Sequence, residues 1–226
     1  MLRRAAALCI WRLKKDNFQM PEPGQIIILN GAPRSGKSGI ARAIQETGGG
    51  VWVNLGVDSQ IASLPERFRP GIGLRPGGER PEIEAIVPAL FAALYESIAA
   101  HSRAGLNVVT DVGHHDSYSK PLHLLPDCAR RLRGLPVMFI GVRCPLDIIM
   151  ARRAADGEGH YLTATQDDPV PAPVRRWQEE VHIPGIYDLE VDTSVLSPHA
   201  CAAAILDAQR RGAPPPRAFE RLAAWS

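Results

Sequence analysis

Residues 31–38 read Gly-Ala-Pro-Arg-Ser-Gly-Lys-Ser, satisfying G-x-x-x-x-G-K-[ST] without a mismatch. They stand where that pattern has chemical meaning. The unbroken apolar run Ile26-Ile27-Ile28-Leu29, closed by Asn30, precedes them, as expected of a strand buried on both faces of a parallel sheet. Ile40, Ala41, Ala43 and Ile44 follow at helical spacing. Gly31 and Gly36 tolerate torsions and close approaches that a Cβ blocks, and the helix start offers unpaired N–H groups and the positive end of a dipole to an anion. The loop through Gly31, Ala32, Pro33, Arg34, Ser35, Gly36, Lys37, Ser38 and Gly39 is thus expected to hold the phosphates of ATP. Lys37 would reach the β- and γ-phosphates, and the Ser38 hydroxyl would hold Mg²⁺.

The rest of the chain supplies a sheet for this loop. Val51-Trp52-Val53-Asn54-Leu55, Val108-Val109-Thr110, Val137-Met138-Phe139-Ile140 and Leu189-Glu190-Val191 are four more strand candidates, each followed by a plausible helix. The clearest helix carries Ile83, Ile86, Leu90, Phe91, Leu94 and Ile98 on one stripe, with Pro88 expected to bend it or to mark its true start. Five β-α alternations without hairpin turns predict an α/β fold, a five-stranded parallel sheet flanked by helices. One domain over residues 24–211 is expected. Residues 1–23 read as a flexible leader, with Met20 as an alternative start, and 212–226, with Pro214, Pro215 and Pro216, as a tail leaving the domain.

Composition narrows the class. The chain has 226 residues, of which 45% are apolar and 22% charged, enough for a packed core. A net charge of +2 is too even for a protein held on nucleic acid mainly by phosphate contacts. Cys9, Cys128, Cys144 and Cys201 are scattered without a C-x-x-C, arguing against a disulfide framework or zinc knuckle. No apolar run reaches the roughly 18 residues of a membrane span. A cytoplasmic protein is expected, with homo-oligomerisation left open.

Among nucleotide-binding classes, a GTPase would need Asn-Lys-x-Asp, and no Asn-Lys pair occurs. A motor or transporter ATPase would need a larger chain. The small-kinase branch remains, which requires a group to orient and deprotonate a hydroxyl acceptor and cations over the transferring phosphoryl group. Asp58, in Gly56-Val57-Asp58-Ser59 just beyond the second strand, can accept a hydrogen bond from an incoming alcohol, or merely cap a helix. Asp111, at the carboxyl end of Asn107-Val108-Val109-Thr110-Asp111, faces the ligand crevice and is a candidate second Mg²⁺ residue, or a cap. His114-His115-Asp116 lacks a third metal ligand at a recognisable spacing and reads as a polar loop lining the cleft.

Several segments, in order, resemble the chloramphenicol phosphotransferase family: Ile28-Leu29-Asn30-Gly31, Gly36-Lys37-Ser38-Gly39-Ile40, Gly56-Val57-Asp58-Ser59, Gly141-Val142-Arg143-Cys144, Val181-His182 and Tyr187 through Ser194. The resemblance spans about Gln25 to Arg210 and implies an ATP-dependent kinase of a small-molecule hydroxyl, in the namesake the antibiotic itself. It implies a nucleoside-monophosphate-kinase-like fold with a mobile lid and identifies Asp58 with the family's catalytic base. Asp192 and Thr193 match the segment leading into the adenine loop, and Arg143 with Arg152 is expected to clamp phosphate. The chain departs from the family at the lid, where Asp156-Gly157-Glu158-Gly159 replaces an arginine-bearing run. Arg153, Arg175 or Arg176 are candidate replacements, though helix-face arginines are more often solvated. Without replacement, transfer would be slow, and a nucleotide-binding regulatory protein is the rival reading. A kinase of another metabolite or of a macromolecule is the alternative within the class. Residues 68–80, with four glycines and two prolines, are expected to form a loop over the acceptor cleft.

Overall fold

A computed structural model of the chain describes residues 21–69, 80–156, 162–212 and 214–225. The leader proper and the centre of the loop expected over the acceptor cleft lie outside them, as does most of the lid replacement. The five expected strands are present as β1 (Ile26–Asn30), β2 (Trp52–Asn54), β3 (Asn107–Val112), β4 (Val137–Arg143) and β5 (Leu189–Asp192). They form one parallel sheet in the order β2-β3-β1-β4-β5, with β1 at its centre. All four residues of the Ile26–Leu29 run are fully buried because alternate side chains leave opposite faces of the sheet, and both faces are covered.

Ile26 and Ile28 join Tyr95, Ile98, Phe139 and Leu132 on one face, under α4 (Val87–Arg103) and α5 (Leu124–Arg131). Ile27 and Leu29 join Ile40, Ile44, Ile140, Cys201 and Ile205 on the other, under α1 (Lys37–Thr47) and α8 (Pro198–Arg211). The connections leave α2 (Val57–Ala62), α3 (Pro81–Glu84), α6 (Leu146–Ala154) and α7 (Ala172–Glu180) around the carboxyl ends of the strands, where ligands bind in open α/β sheets. Pro88 marks a start: α3 ends at Glu84, and α4 places Pro88 in its first turn, where the missing N–H costs no hydrogen bond.

The carboxyl-terminal expectation needs correction. The prolines do follow the end of α8 at Arg211, but the chain does not then leave the domain. It returns as α9 (Ala218–Ala223), whose Ala218, Phe219 and Leu222 are buried in the core beneath α5. Phe219 lies edge-on to Phe139 at 5.1 Å and parallel to Tyr95 at 6.4 Å between ring centroids. Two apolar residues three apart suffice for one buried face on so short a helix. No helix among the described residues is long and apolar enough to cross a membrane.

Candidate active site

The loop after β1 is built on fixed points. Asn30, the last strand residue, donates from Nδ2 to the Val181 carbonyl at 2.7 Å and lies 2.9 Å from the Tyr187 hydroxyl, while its Oδ1 accepts the His114 N–H at 2.8 Å. The Tyr187 hydroxyl also meets His182 Nδ1 at 2.8 Å. Side chains that are scattered in sequence thus pin the base of the loop. A Cβ on Gly31 would stand 2.5 Å from the Val142 carbonyl oxygen, so only glycine fits between β1 and β4 there. Gly36 has φ +98°, a left-handed turn that sends the chain into α1. Helix α1 begins with neither a side-chain cap nor an acidic residue in its first turn, leaving its N–H groups for an anion.

Lys37 donates to the carbonyls of Gly31 and Ala32 at 2.7 and 2.9 Å. Burial lowers its pKa, while the charges of Asp111 and Asp58 oppose that shift. Ser38 Oγ donates to Asp111 Oδ2 at 2.9 Å, bringing together two residues 73 positions apart. Mg²⁺ favours hard oxygen ligands and takes few from protein, completing its shell with water and phosphate. A hydroxyl and a carboxylate at the loop edge suit that pattern. Gly56 belongs to this corner as well: its φ of −66° suits any residue, but a Cβ would lie 2.3 Å from Asp111 Oδ1.

Asp58 occupies the first turn of α2 and lines the same cavity as Lys37 and Asp111. Burial raises its pKa, as does the neighbouring Asp111 charge, with Lys37 pulling the other way. The cavity, of about 510 Å³, runs from the loop to a largely apolar end. There Ile61 and Leu64 of α2 face Val87, Leu90, Phe91 and Leu94 of α4, with His115, Tyr118 and Trp177 also in the wall. Gln60 Nε2 donates to the Leu90 carbonyl at 2.8 Å and ties the two helices together.

Other expected site residues are placed differently. Thr193 lines the cavity, its hydroxyl donating to the Ser35 carbonyl at 2.7 Å. Arg152 also lines it, donating from NH1 and NH2 to Thr193 Oγ1 and O at 3.0 and 2.8 Å beside Gly36. Asp192 does not line it: Oδ1 accepts from the Ser194 N–H and hydroxyl, which hold its carboxyl below the usual range. Ala32 and Ser35 are turned into the interior, Ala32 as part of an apolar cluster with Cys144 and Val174. Arg143 is not at the cavity either. It pairs with Glu190 of the adjacent strand, Nε to Oε1 at 2.7 Å, because successive side chains alternate and this one leaves on the Tyr187 side.

Arg153, Arg175 and Arg176 are likewise outside the cavity lining; Arg153 and Arg175 donate to the carbonyls of Leu162 and Val170. Among the described residues, the cations bordering the cavity are Arg34, Lys37 and Arg152. Arg34, within the loop itself, donates to the Arg152 carbonyl at 2.8 Å and lies 3.6 Å from Asp156. Of the His114-His115-Asp116 segment, His115 lines the cavity, His114 turns inward to Tyr95 with 2.8 Å from Nε2 to the hydroxyl, and Asp116 accepts the N–H groups of Leu122 and His123. Sequence reasoning missed Tyr118, Trp177 and the facing helices, whose apolar residues carry no signal beyond that of ordinary core.

Comparison with known proteins gives the family and the fold. Residues 24–210 match the family model described as chloramphenicol phosphotransferase-like protein. A Mycobacterium tuberculosis protein provisionally named an O-phosphotransferase, found in strains CDC 1551 and H37Rv, is 27% identical over 217 residues, covering 90% of this chain and 89% of the relative. A gluconokinase from Sinorhizobium meliloti aligns with a TM-score of 0.56 at 17% identity, over 85% of this chain and 95% of that one. An APS kinase of M. tuberculosis in complex with AMPPNP and APS aligns at 0.52 and 16%, over 85% and 100%. At such identities the structural likeness is one of fold, that of the P-loop kinases. With a family match over nearly all of the folded chain, the protein belongs to the chloramphenicol phosphotransferase-like family.

Proposed function

We propose that this chain transfers the γ-phosphoryl group of ATP to the hydroxyl of a small, uncharged and largely apolar alcohol, with chloramphenicol as one candidate acceptor. The observation that carries this reading is one cavity that holds the phosphate loop at one end, Asp58 beside it and an apolar chamber beyond. Lys37 and the N–H groups at the start of α1 hold the phosphates, and Arg34 and Arg152 border them. Ser38 and Asp111 would hold Mg²⁺, which supplies charge neutralisation to the phosphates when bound. Asp58 orients the acceptor hydroxyl and takes its proton late in a loose transfer, where placement counts for more than basicity. Leu196 and Pro198 also line the cavity, Pro198 beside Gly39 of the loop, and suit the nucleoside.

The acceptor class follows from the wall. Apart from the cations at the phosphate loop, no lysine or arginine among the described residues lines the chamber, so none of them beyond the loop offsets the charge of an anionic acceptor beside Asp58. A neutral alcohol with an apolar body buries that surface favourably. The test is mass spectrometry of the full chain with Mg·ATP and neutral alcohols, chloramphenicol among them, with sugar acids as anionic controls. A phosphate mass shift on neutral members is expected. Transfer confined to the sugar acids, or nucleotide binding with no transfer to any compound, would overturn the reading.

A further inference from the structure

The variable positions of the phosphate loop are Ala32, Pro33, Arg34 and Ser35. Ala32 and Ser35 are buried and Pro33 lacks even a backbone N–H, so of these positions Arg34 brings charge to the cavity wall. It does so from a strained backbone. Its φ is +69°, in the left-handed region that glycine enters freely and a long side chain seldom does. Such strain persists where the surrounding structure enforces it, and it collects at active sites. Here a reciprocal clasp enforces it. Arg34 Nη2 donates to the Arg152 carbonyl at 2.8 Å, and Arg152 Nη1 donates back to the Arg34 carbonyl at 3.3 Å. The clasp directs the Arg34 side chain, about a third exposed, to the α6 side of the loop.

The cations of the wall are not equivalent. Arg152 commits Nη1 and Nη2 to Thr193 and so ties the end of β5 to the loop. Arg34 faces Asp156 at 3.6 Å, a separation at which the attraction is one of charge rather than of a hydrogen bond. A terminal phosphoryl group is the stronger partner, since it carries more charge and offers oxygens to both arms of a guanidinium fork. Resting on the phosphotransferase reading above, we propose that Arg34 is a further catalytic residue, whose guanidinium exchanges Asp156 for the γ-phosphoryl group when ATP binds. In the transfer, the bond from the γ-phosphorus to the oxygen it shares with the β-phosphate breaks as a bond to the acceptor oxygen forms. The acceptor proton passes to Asp58. Negative charge lies on the γ-phosphoryl oxygens and grows on the leaving oxygen, and Arg34 offsets it from the loop side. Arg152 is then a positioning residue, holding the one that touches phosphate.

The experiment is calorimetry on the full chain with Mg·AMPPNP and with Mg·ADP, which differ in the terminal phosphoryl group and need no acceptor. Arg34→Gly removes the side chain but suits the observed φ, so the N–H cradle of the loop is kept. AMPPNP affinity should fall about 10–100-fold, the worth of a charge-assisted hydrogen bond, and ADP affinity by no more than about threefold. Arg34→Lys, which keeps the charge without the fork, should recover part of the loss. With an alcohol that wild type phosphorylates, Arg34→Gly should lower kcat by about 10³-fold and leave the KM for the alcohol unchanged. Equal weakening of both nucleotides, the mark of a residue that only shapes the loop, would overturn the proposal. So would an unchanged AMPPNP affinity. If wild type binds both nucleotides but phosphorylates no alcohol, the phosphotransferase reading itself fails and the catalytic role with it.

Discussion

Asp58 and Asp111 share a corner with Lys37, and their roles can be separated by substitution. Asp58 has no hydrogen-bond partner among the described residues, and burial and Asp111 disfavour its charge by more than Lys37 favours it. Asp58→Asn should therefore lower transfer by about 10²–10⁴-fold, the range for loss of a general base, while Mg·ATP still binds. Because it removes a disfavoured charge, the same variant should unfold in urea at no lower midpoint than wild type, an activity lost at no cost to stability. A variant equally weak in nucleotide binding would place Asp58 with the phosphates instead. Gly56→Ala tests the neighbouring group. Its Cβ would need the space 2.3 Å from Asp111 Oδ1, so the carboxylate must turn away from Ser38. The expected result is Mg²⁺-dependent ATP affinity reduced by about 10–100-fold with the fold retained, read by calorimetry with and without Mg²⁺.

At the scale of elements, the sheet was legible because its signals are local. An unbroken run such as Ile26–Leu29 belongs in a doubly covered strand wherever it occurs, and a glycine-rich turn after it can be read residue by residue. Helix α9 was not legible, since three prolines followed by a six-residue amphipathic stretch look the same whether the chain leaves or folds back. What decides is the gap that Tyr95, Phe139 and α5 leave for Phe219, and that gap belongs to the assembled core. Phe219→Ala should therefore destabilise by about 3–5 kcal/mol, as for other buried phenylalanines, and truncation after Gly212 by at least as much. Urea unfolding measures both. A truncated chain as stable as the full one would mean that α9 contributes no packing energy.

The site is a property of the whole molecule, which explains why half of it could be read from sequence and half could not. Lys37, Ser38, Asp58 and Asp111 each sit at the end of a strand or the start of a helix, positions that a parallel sheet brings together by rule. Trp177, Tyr118 and the facing helices meet only through long-range packing, and Arg143 leaves its strand away from the cavity, where its side chain pairs with that of Glu190. The same packing sets how the folded state responds to pH. His114 is buried, its Nε2 occupied by Tyr95 and its Nδ1 without a partner among the described residues, and burial above all, then the charge of His115, holds its pKa down to about 3. His182 is held down to about 4 by burial, then by Arg143 and Lys37. In the unfolded chain both titrate near about 6.5. Below that pH the unfolded state binds protons that the folded state refuses, so the stability these residues confer is intact above about pH 6.5 and drains away as pH falls toward their folded values. For His114 the slope approaches about 1.4 kcal/mol per pH unit between roughly pH 5.5 and 4. His114→Gln keeps a hydrogen-bonding group for Tyr95 but cannot titrate. Urea unfolding at pH 7, 5.5 and 4.5 should then show wild type losing stability faster than the variant by about one proton's worth of slope. Parallel curves would mean that His114 stays neutral in both states or gains a proton without unfolding.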